Sequence, residues 1–163
     1  SMKVGASVCA SGGFNALKFL DLAKSEKITW YSGVPTMHQA ILMRADKNLE
    51  LAKNLKLRFL RSSSASLPPT VFEKLNSVFE CPVIEAYGMT EATGGITMTP
   101  PNDYRPDSVG IALPGIKLKI EHDGELCIKG PYVADGYYKE KNNLFRNGWF
   151  HTEDFFKEID SNY

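Results

Sequence analysis

Hydrophobic and polar positions in the first hundred residues alternate between two periods. Small and apolar residues from Val4 to Cys9 predict a strand, closed by Ser11-Gly12-Gly13. Between Phe14 and Lys24, Ala16, Phe19, Leu20 and Ala23 recur at helical spacing. Ile28-Thr29-Trp30-Tyr31 is β-branched and aromatic, the composition of a strand. Pro35 and Thr36 open a second helix, with Thr36 the expected cap and Ile41, Leu42 and Ala45 along one face. Leu57 to Leu60 predicts another strand. Pro68-Pro69 opens a third helix, striped by Val71, Phe72, Leu75, Val78 and Phe79. Val83 to Tyr87 predicts the strand that follows. This order predicts a mainly parallel sheet with crossover helices. If the strands are parallel, the loops after Leu60 and Tyr87 lie at one sheet end, where open α/β folds bind ligands.

After Pro100-Pro101 the pattern changes. Leu118 and Ile120 alternate with Lys117, Lys119 and Glu121; His122-Asp123-Gly124 predicts a hairpin turn and Glu125 to Lys129 the returning strand. Short strands punctuated by Gly and Pro continue through Trp149-Phe150. The fold class expected is therefore α/β. Residues 3–105 would form a partial Rossmann-like sheet with crossover helices, and residues 106–163 a small antiparallel, barrel-like subdomain.

Composition narrows the classes. Nineteen basic residues balance nineteen acidic ones, so no global field favours nucleic acid or an anionic membrane. No apolar run is long enough to span a bilayer. Cys9, Cys81 and Cys127 are odd in number and widely spaced, as expected of free thiols in a reducing compartment. Ser1-Met2 reads as a cloning remnant, and the ends read as those of a fragment.

The chemistry concentrates in Glu85-Ala86-Tyr87-Gly88-Met89-Thr90-Glu91-Ala92-Thr93. An aromatic ring can stack on a base, Thr90 can donate to a phosphoryl oxygen, and Glu91 can hold a hard cation such as Mg2+. A strand end with a polar turn accounts for the same residues structurally. Arg61-Ser62-Ser63-Ser64-Ala65-Ser66-Leu67 joins a strand to a helix through small residues that let backbone approach a flat ligand, or it is simply a structural loop. Asp154, after Trp149-Phe150-His151-Thr152-Glu153, could accept from a ribose diol or stand in a solvated turn. His38, in the first turn of the second helix, reads on its own as a surface residue. No GxxxxGK[ST] or GxGxxG phosphate loop is present.

Taken in order, Ser64-Ala65-Ser66-Leu67, Tyr87-Gly88-Met89-Thr90-Glu91, Gly124-Glu125-Leu126, Gly130-Pro131, Gly136-Tyr137 and Trp149-Phe150-His151-Thr152-Glu153-Asp154 resemble the adenylate-forming superfamily over nearly the whole chain. Within it, Val34-Pro35-Thr36-Met37-His38-Gln39, Arg61-Ser62-Ser63-Ser64-Ala65-Ser66-Leu67 and Glu85-Ala86-Tyr87-Gly88-Met89-Thr90-Glu91-Ala92-Thr93 are most similar to the plant and fungal oxalate–CoA ligase group. The resemblance implies part of an ATP-dependent acyl-CoA synthetase. An acid attacks the α-phosphate of ATP, pyrophosphate leaves, and the acyl group of the adenylate passes to CoA. It implies ATP, Mg2+ and CoA as the small molecules used, a carboxylic acid as substrate, and an intracellular location, cytoplasmic or peroxisomal. By the same resemblance Glu85, Ala86, Gly88 and Met89 belong to the nucleotide-binding segment. Tyr87 stacks on adenine, and Ser64, Ala65 and Ser66 flank the base and the acyl carboxylate. Thr90 binds the α-phosphate, Glu91 binds Mg2+, Asp154 binds the ribose hydroxyls, and His38 lines the acyl pocket. Thr90 and Glu91 are the groups expected to accelerate the reaction.

The resemblance also breaks. Glu153 stands where that superfamily usually has glycine; if the position needs a positive φ, a side chain there costs about 1 kcal/mol. Two rivals follow: a degenerate nucleotide-binding or interaction module without chemistry, and an adenylation domain that loads a carrier protein. The superfamily's glycine-rich phosphate loop and its C-terminal lid with the catalytic lysine are not in this sequence. The expected outcome is no turnover by this chain alone, and acyl-adenylate formation by the purified chain would refute it.

Overall fold

The computed structural model describes residues 5–101, 103, 105, 107–139 and 143–158. The chain divides into two compact units, Ser1–Ile84 and Glu85–Tyr163. The change of pattern near residue 105 falls inside the second.

In the first unit, helix α1 (Phe19–Ser25) precedes strand β1 (Trp30–Gly33), helices α2 (Pro35–Ala45) and α3 (Leu49–Lys53), strand β2 (Phe59–Ser63) and helix α4 (Pro69–Phe79). Strand β3 (Val83–Tyr87) begins in this unit and ends in the next. β1 and β2 are parallel, in a register running from Trp30 opposite Phe59 to Gly33 opposite Ser62, as crossover connection predicts. Leu60 N–H donates to Pro82 O at 2.9 Å, just before β3. The core gathers Leu20, Ile41, Leu42, Leu60, Leu75, Val78, Phe79 and Val83. These are the apolar faces of α1, α2 and α4 and the buried positions of the strands. α4 opens on Pro69, whose fixed φ suits the first helical position. It closes at Glu80, a left-handed residue whose N–H caps Asn76 O at 2.9 Å.

Local expectations fail at four points. Among the described residues of the strand expected over 4–9, no ladder forms and residues 5–10 are exposed, because a strand needs a neighbour to pair with; Val4 lies outside the described residues. α1 starts later than its periodicity suggests. Asn15 takes the Leu17 amide on its side chain and the Lys18 amide on its carbonyl, making a turn in place of the first helical turn. Thr36 does not cap α2: the capping position is extended Val34, Pro35 is the first helical residue, and no side chain caps the end. α3, only five residues long, is too short to leave a periodic signal.

The second unit is antiparallel. The end of β3 pairs with β4 (Thr97–Met98), which pairs with β5 (Ile111–Ala112). A second sheet has the order β6-β7-β9-β8, with β6 Lys117–Ile120, β7 Glu125–Lys129, β8 Phe145–Arg146 and β9 Trp149–Phe155. The expected hairpin turn is present. Gly124 N–H donates to Glu121 O at 2.9 Å, and Asp123 Oδ1 takes the Glu125 amide at 3.0 Å. Alternation along β7 and β9 sends Leu126, Ile128 and Phe150 into a core with Ala92, Ile96 and Ile116. Among the described residues this sheet is open, with β6 and β8 as its edges, and no closed barrel is formed.

Leu75 is fully buried at the centre of the first core. Leu75→Ala is expected to destabilise that unit by about 2–5 kcal/mol, seen as a lower urea midpoint. A loss below about 1 kcal/mol would mean the α4 face is not packed as described.

Candidate functional site

The nonapeptide and the Gly94-Gly95 pair after it fold into a closed loop built on Gly88 and that pair. Tyr87 O accepts from Ile96 N–H at 2.9 Å, and Met89 O accepts from Gly94 N–H at 2.9 Å. The chain therefore returns directly over Gly88. A Cβ on Gly88 would lie 2.3 Å from Gly94 O and 2.9 Å from Gly95 Cα, closer than any side chain permits. Gly94-Gly95 is the other half of this close approach. Within the loop, Thr90–Ala92 make one 3₁₀ turn, pinned by fully buried Ala92. Thr90 is exposed and Glu91 half-buried on that turn.

Glu91 is held at two points. Its carbonyl accepts from Ala134 N–H at 2.7 Å, and its carboxylate Oε1 accepts from the Tyr137 hydroxyl. From its sequence motif Tyr137 has no role beyond hairpin building. Only the fold brings it across 46 residues to Glu91. A half-buried carboxylate on a braced turn is a hard oxygen donor, the chemistry that Mg2+ takes from proteins through one or two carboxylates.

Tyr87 and Asp154 meet directly. The Tyr87 hydroxyl donates to Asp154 Oδ2 at 2.6 Å, and the ring packs edge-on against Phe156, 4.9 Å between centroids. Burial, then the bond to and charge of Asp154, push the Tyr87 phenol well above its usual range, so it stays a donor. Asp154 itself is exposed near the end of β9. Its amide donates to Thr152 Oγ1 at 3.1 Å, and Thr152 Oγ1 donates to Leu126 O at 2.8 Å. Glu85 and Ala86 are buried in β3; the Glu85 amide donates to Thr99 Oγ1 at 2.8 Å, and Ala86 pairs with Met98.

Glu153 adopts φ +59°, the left-handed region expected of a glycine. The ladder between β7 and β9 shifts register between Glu125 and Cys127, a β-bulge. Glu125 fastens it: Oε1 takes the Glu153 amide at 3.1 Å, and Oε2 lies 2.8 Å from His151 Nδ1. The bulge re-aims the strand immediately before Asp154.

In the first unit, Ser62 is fully buried on β2. Ser64 turns the chain at φ +71°, Ser64, Ala65 and Ser66 are exposed, and buried Leu67 anchors the loop's far end. His38 is not a surface residue: it is fully buried on α2, with Nδ1 3.0 Å from the Tyr31 hydroxyl. Gly33 makes the room, since a Cβ there would stand 3.3 Å from His38 Cε1. Burial lowers the His38 pKa, opposed by the Arg61 and Gly33 backbone, so the ring is neutral near pH 7. A neutral ring can still act through hydrogen bonds. His38 Nε2, Arg61 Nε and Ser62 Oγ are buried without a well-directed hydrogen bond, which is costly unless something else satisfies them.

Against known proteins, the family profile described as AMP-binding enzyme matches residues 1–138. The oxalate–CoA ligase of Arabidopsis thaliana is 42% identical over 174 aligned residues, covering 94% of this chain and 33% of the plant protein. A probable CoA ligase of Humulus lupulus, CCL9, is 41% identical over 165 residues, covering 89% and 30%. The o-succinylbenzoate coenzyme A synthetase of Bacillus subtilis, solved in complex with ATP and magnesium ion, superposes with a TM-score of 0.74 at 25% identity, over 85% of this chain and 31% of that one. This chain thus spans about a third of the length of each.

Since Glu153 carries a side chain at positive φ, Glu153→Gly should stabilise the second unit by about 1 kcal/mol, read as a higher thermal midpoint. An unchanged or lower midpoint would show that the bulge imposes no strain.

Proposed function

Because this chain belongs to the AMP-binding enzyme family, we propose that it forms part of an ATP-dependent acid–thiol ligase. The whole protein would activate a carboxylic acid as its adenylate and transfer the acyl group to CoA. The observation that carries the proposal is the meeting of Tyr87 and Asp154, 67 positions apart, beside the loop that presents Thr90 and Glu91.

The roles follow from the chemistry. In the first step an acid oxygen attacks the α-phosphorus and pyrophosphate leaves; in the second the CoA sulfur attacks the acyl carbonyl and AMP leaves. Negative charge grows on the α-phosphoryl oxygens as the first step proceeds. Thr90, exposed on a fixed turn, is the donor we assign to one of them, where a preorganised donor contributes most. Glu91 is the residue that would hold Mg2+, whose charge neutralises the phosphates when bound. Tyr87 offers its ring to adenine and positions Asp154 through its hydroxyl; Asp154 accepts from the ribose diol. In the first unit, Ser64 to Ser66 provide exposed backbone suited to flanking a planar base or a carboxylate.

For the acid, the similarity to an oxalate–CoA ligase supports a short carboxylic acid. His38 supports it independently. Nε2 is buried without a well-directed partner, and in the tautomer in which Tyr31 donates to Nδ1 it carries a proton that a carboxylate oxygen could accept. Recognition would then run through a neutral hydrogen bond. Among the described residues no helix is long and apolar enough to cross a membrane, and Cys9, Cys81 and Cys127 are free. The free thiols support the cytoplasmic or peroxisomal reading.

The full-length protein should catalyse ATP–pyrophosphate exchange with one class of acid from a panel of oxalate, aryl and fatty acids. No exchange with any acid by a folded protein would point to the binding module instead, and transfer to a carrier protein but not CoA would point to an adenylation domain. Within an active enzyme, His38→Ala should raise KM for the acid far more than KM for ATP, and Asp154→Ala the reverse. Equal shifts in both constants would remove these assignments.

A further inference from the structure

One face of the second unit's sheet carries chemistry that the ligase reading leaves unused. Glu121 and Glu125 are bonded across the hairpin, Lys119 pairs with Cys127, and Cys127 with His151. Strand alternation puts all five side chains on the side opposite Leu126, Ile128 and Phe150. Cys127 is fully buried and His151 nearly so.

Their geometry converges on one nitrogen. Around His151 Nδ1 stand Cys127 Sγ at 3.2 Å, Glu125 Oε2 at 2.8 Å and Arg146 Nη2 at 3.0 Å. Glu121 Oε1 is 4.0 Å from the same sulfur. A ring nitrogen offers either one proton or one lone pair, so three polar neighbours cannot all be satisfied by hydrogen bonds to it. A cation among them could satisfy sulfur, nitrogen and carboxylate together.

We propose that Glu121, Cys127 and His151 form a binding site for a thiophilic divalent cation of the zinc class. One ligand atom from each lies within 4.8 Å of the others. Ligands at about 2.0–2.3 Å from a tetrahedral zinc stand about 3.3–3.8 Å apart, so the side chains need only small movements to close on the ion. Thiolate, imidazole and carboxylate are donors zinc accepts together, and three protein ligands leave a fourth position for water. Glu125 Oε2 lies 2.8 Å from that same Nδ1, so on metal binding it would release the nitrogen or join the ion as a further oxygen ligand.

Two cationic side chains engage these ligands. Arg146 Nε donates to His151 Nε2 at 2.9 Å, and Lys119 Nζ donates to Glu121 Oε1 at 2.7 Å. Both side chains are about half exposed, so either can swing into water as the ion enters. Metal therefore competes with Arg146 for His151. The site also reaches the bulge, because Glu125 holds both His151 and the Glu153 amide.

The test is a Co2+ titration of the purified chain. One equivalent should produce a thiolate-to-cobalt charge-transfer band and the visible absorption of a tetrahedral ion, both removed by Zn2+. Cys127→Ser should abolish the band, while Cys9→Ser and Cys81→Ser leave it. Should Cys127→Ser fail to fold, Glu121→Gln, a change at a partly exposed carboxylate, should weaken binding at least about ten-fold. Arg146→Gln should bind several-fold more tightly. No band at saturating Co2+, a band that survives Cys127→Ser, undiminished affinity in folded Glu121→Gln, or weaker binding by Arg146→Gln would each overturn the proposal.

Discussion

The contact between Gly88 and the Gly94-Gly95 backbone is the constraint on which the second unit's chemistry depends. Any Cβ at position 88 would collide with Gly94 O, so no other residue fits there without moving the return chain. That approach lets Tyr87 O and Met89 O close the loop, and closure leaves a single rigid turn for Thr90, Glu91 and Ala92. Buried Ala92 fixes the turn's inner side, so the outer side chains are presented rather than left to wander. A larger residue at 88 would cost this presentation before it touched a reacting atom.

Around that loop, positioning is carried by partners far away in sequence. Tyr137 braces Glu91, and Asp154 and Tyr87 hold one another. The bulge at Glu153 is the device that makes the second pairing possible. It interrupts the ladder between β7 and β9, turns the strand before Asp154, and is fastened by both oxygens of Glu125. A carboxylate that bonds the strained amide and the neighbouring histidine stabilises a conformation that Glu153 by itself disfavours. The same carboxylate joins the bulge to the Cys127–His151 cluster, so the strand carrying Asp154 and the candidate metal site share one mechanical element.

Much of the fold was legible because it rests on local periodicity. The α4 stripe, the Val83–Tyr87 strand and the His122-Asp123-Gly124 hairpin form where the residues predict, each specified by neighbours within a turn or two. The failures have a common cause. The segment from Val4 has strand composition, but its described residues have no ladder beside them, and α1 lost its first turn to the Asn15 side chain. Periodicity measures which face a residue could bury; it carries nothing about whether a partner is there to receive it.

At the candidate site the division is sharper. Sequence alone determined which chemistries were available: the aromatic, hydroxyl and carboxylate of residues 87–91 and the carboxylate at 154. These follow from residue type and short spacing. Only the tertiary structure decided that His38 is buried and neutral, that Tyr137 grips Glu91, and that Cys127 and His151 face each other. Burial and cross-strand register depend on chain segments tens of residues apart. Desolvation and ligand geometry, which set what a side chain can do, come into being only when those segments pack.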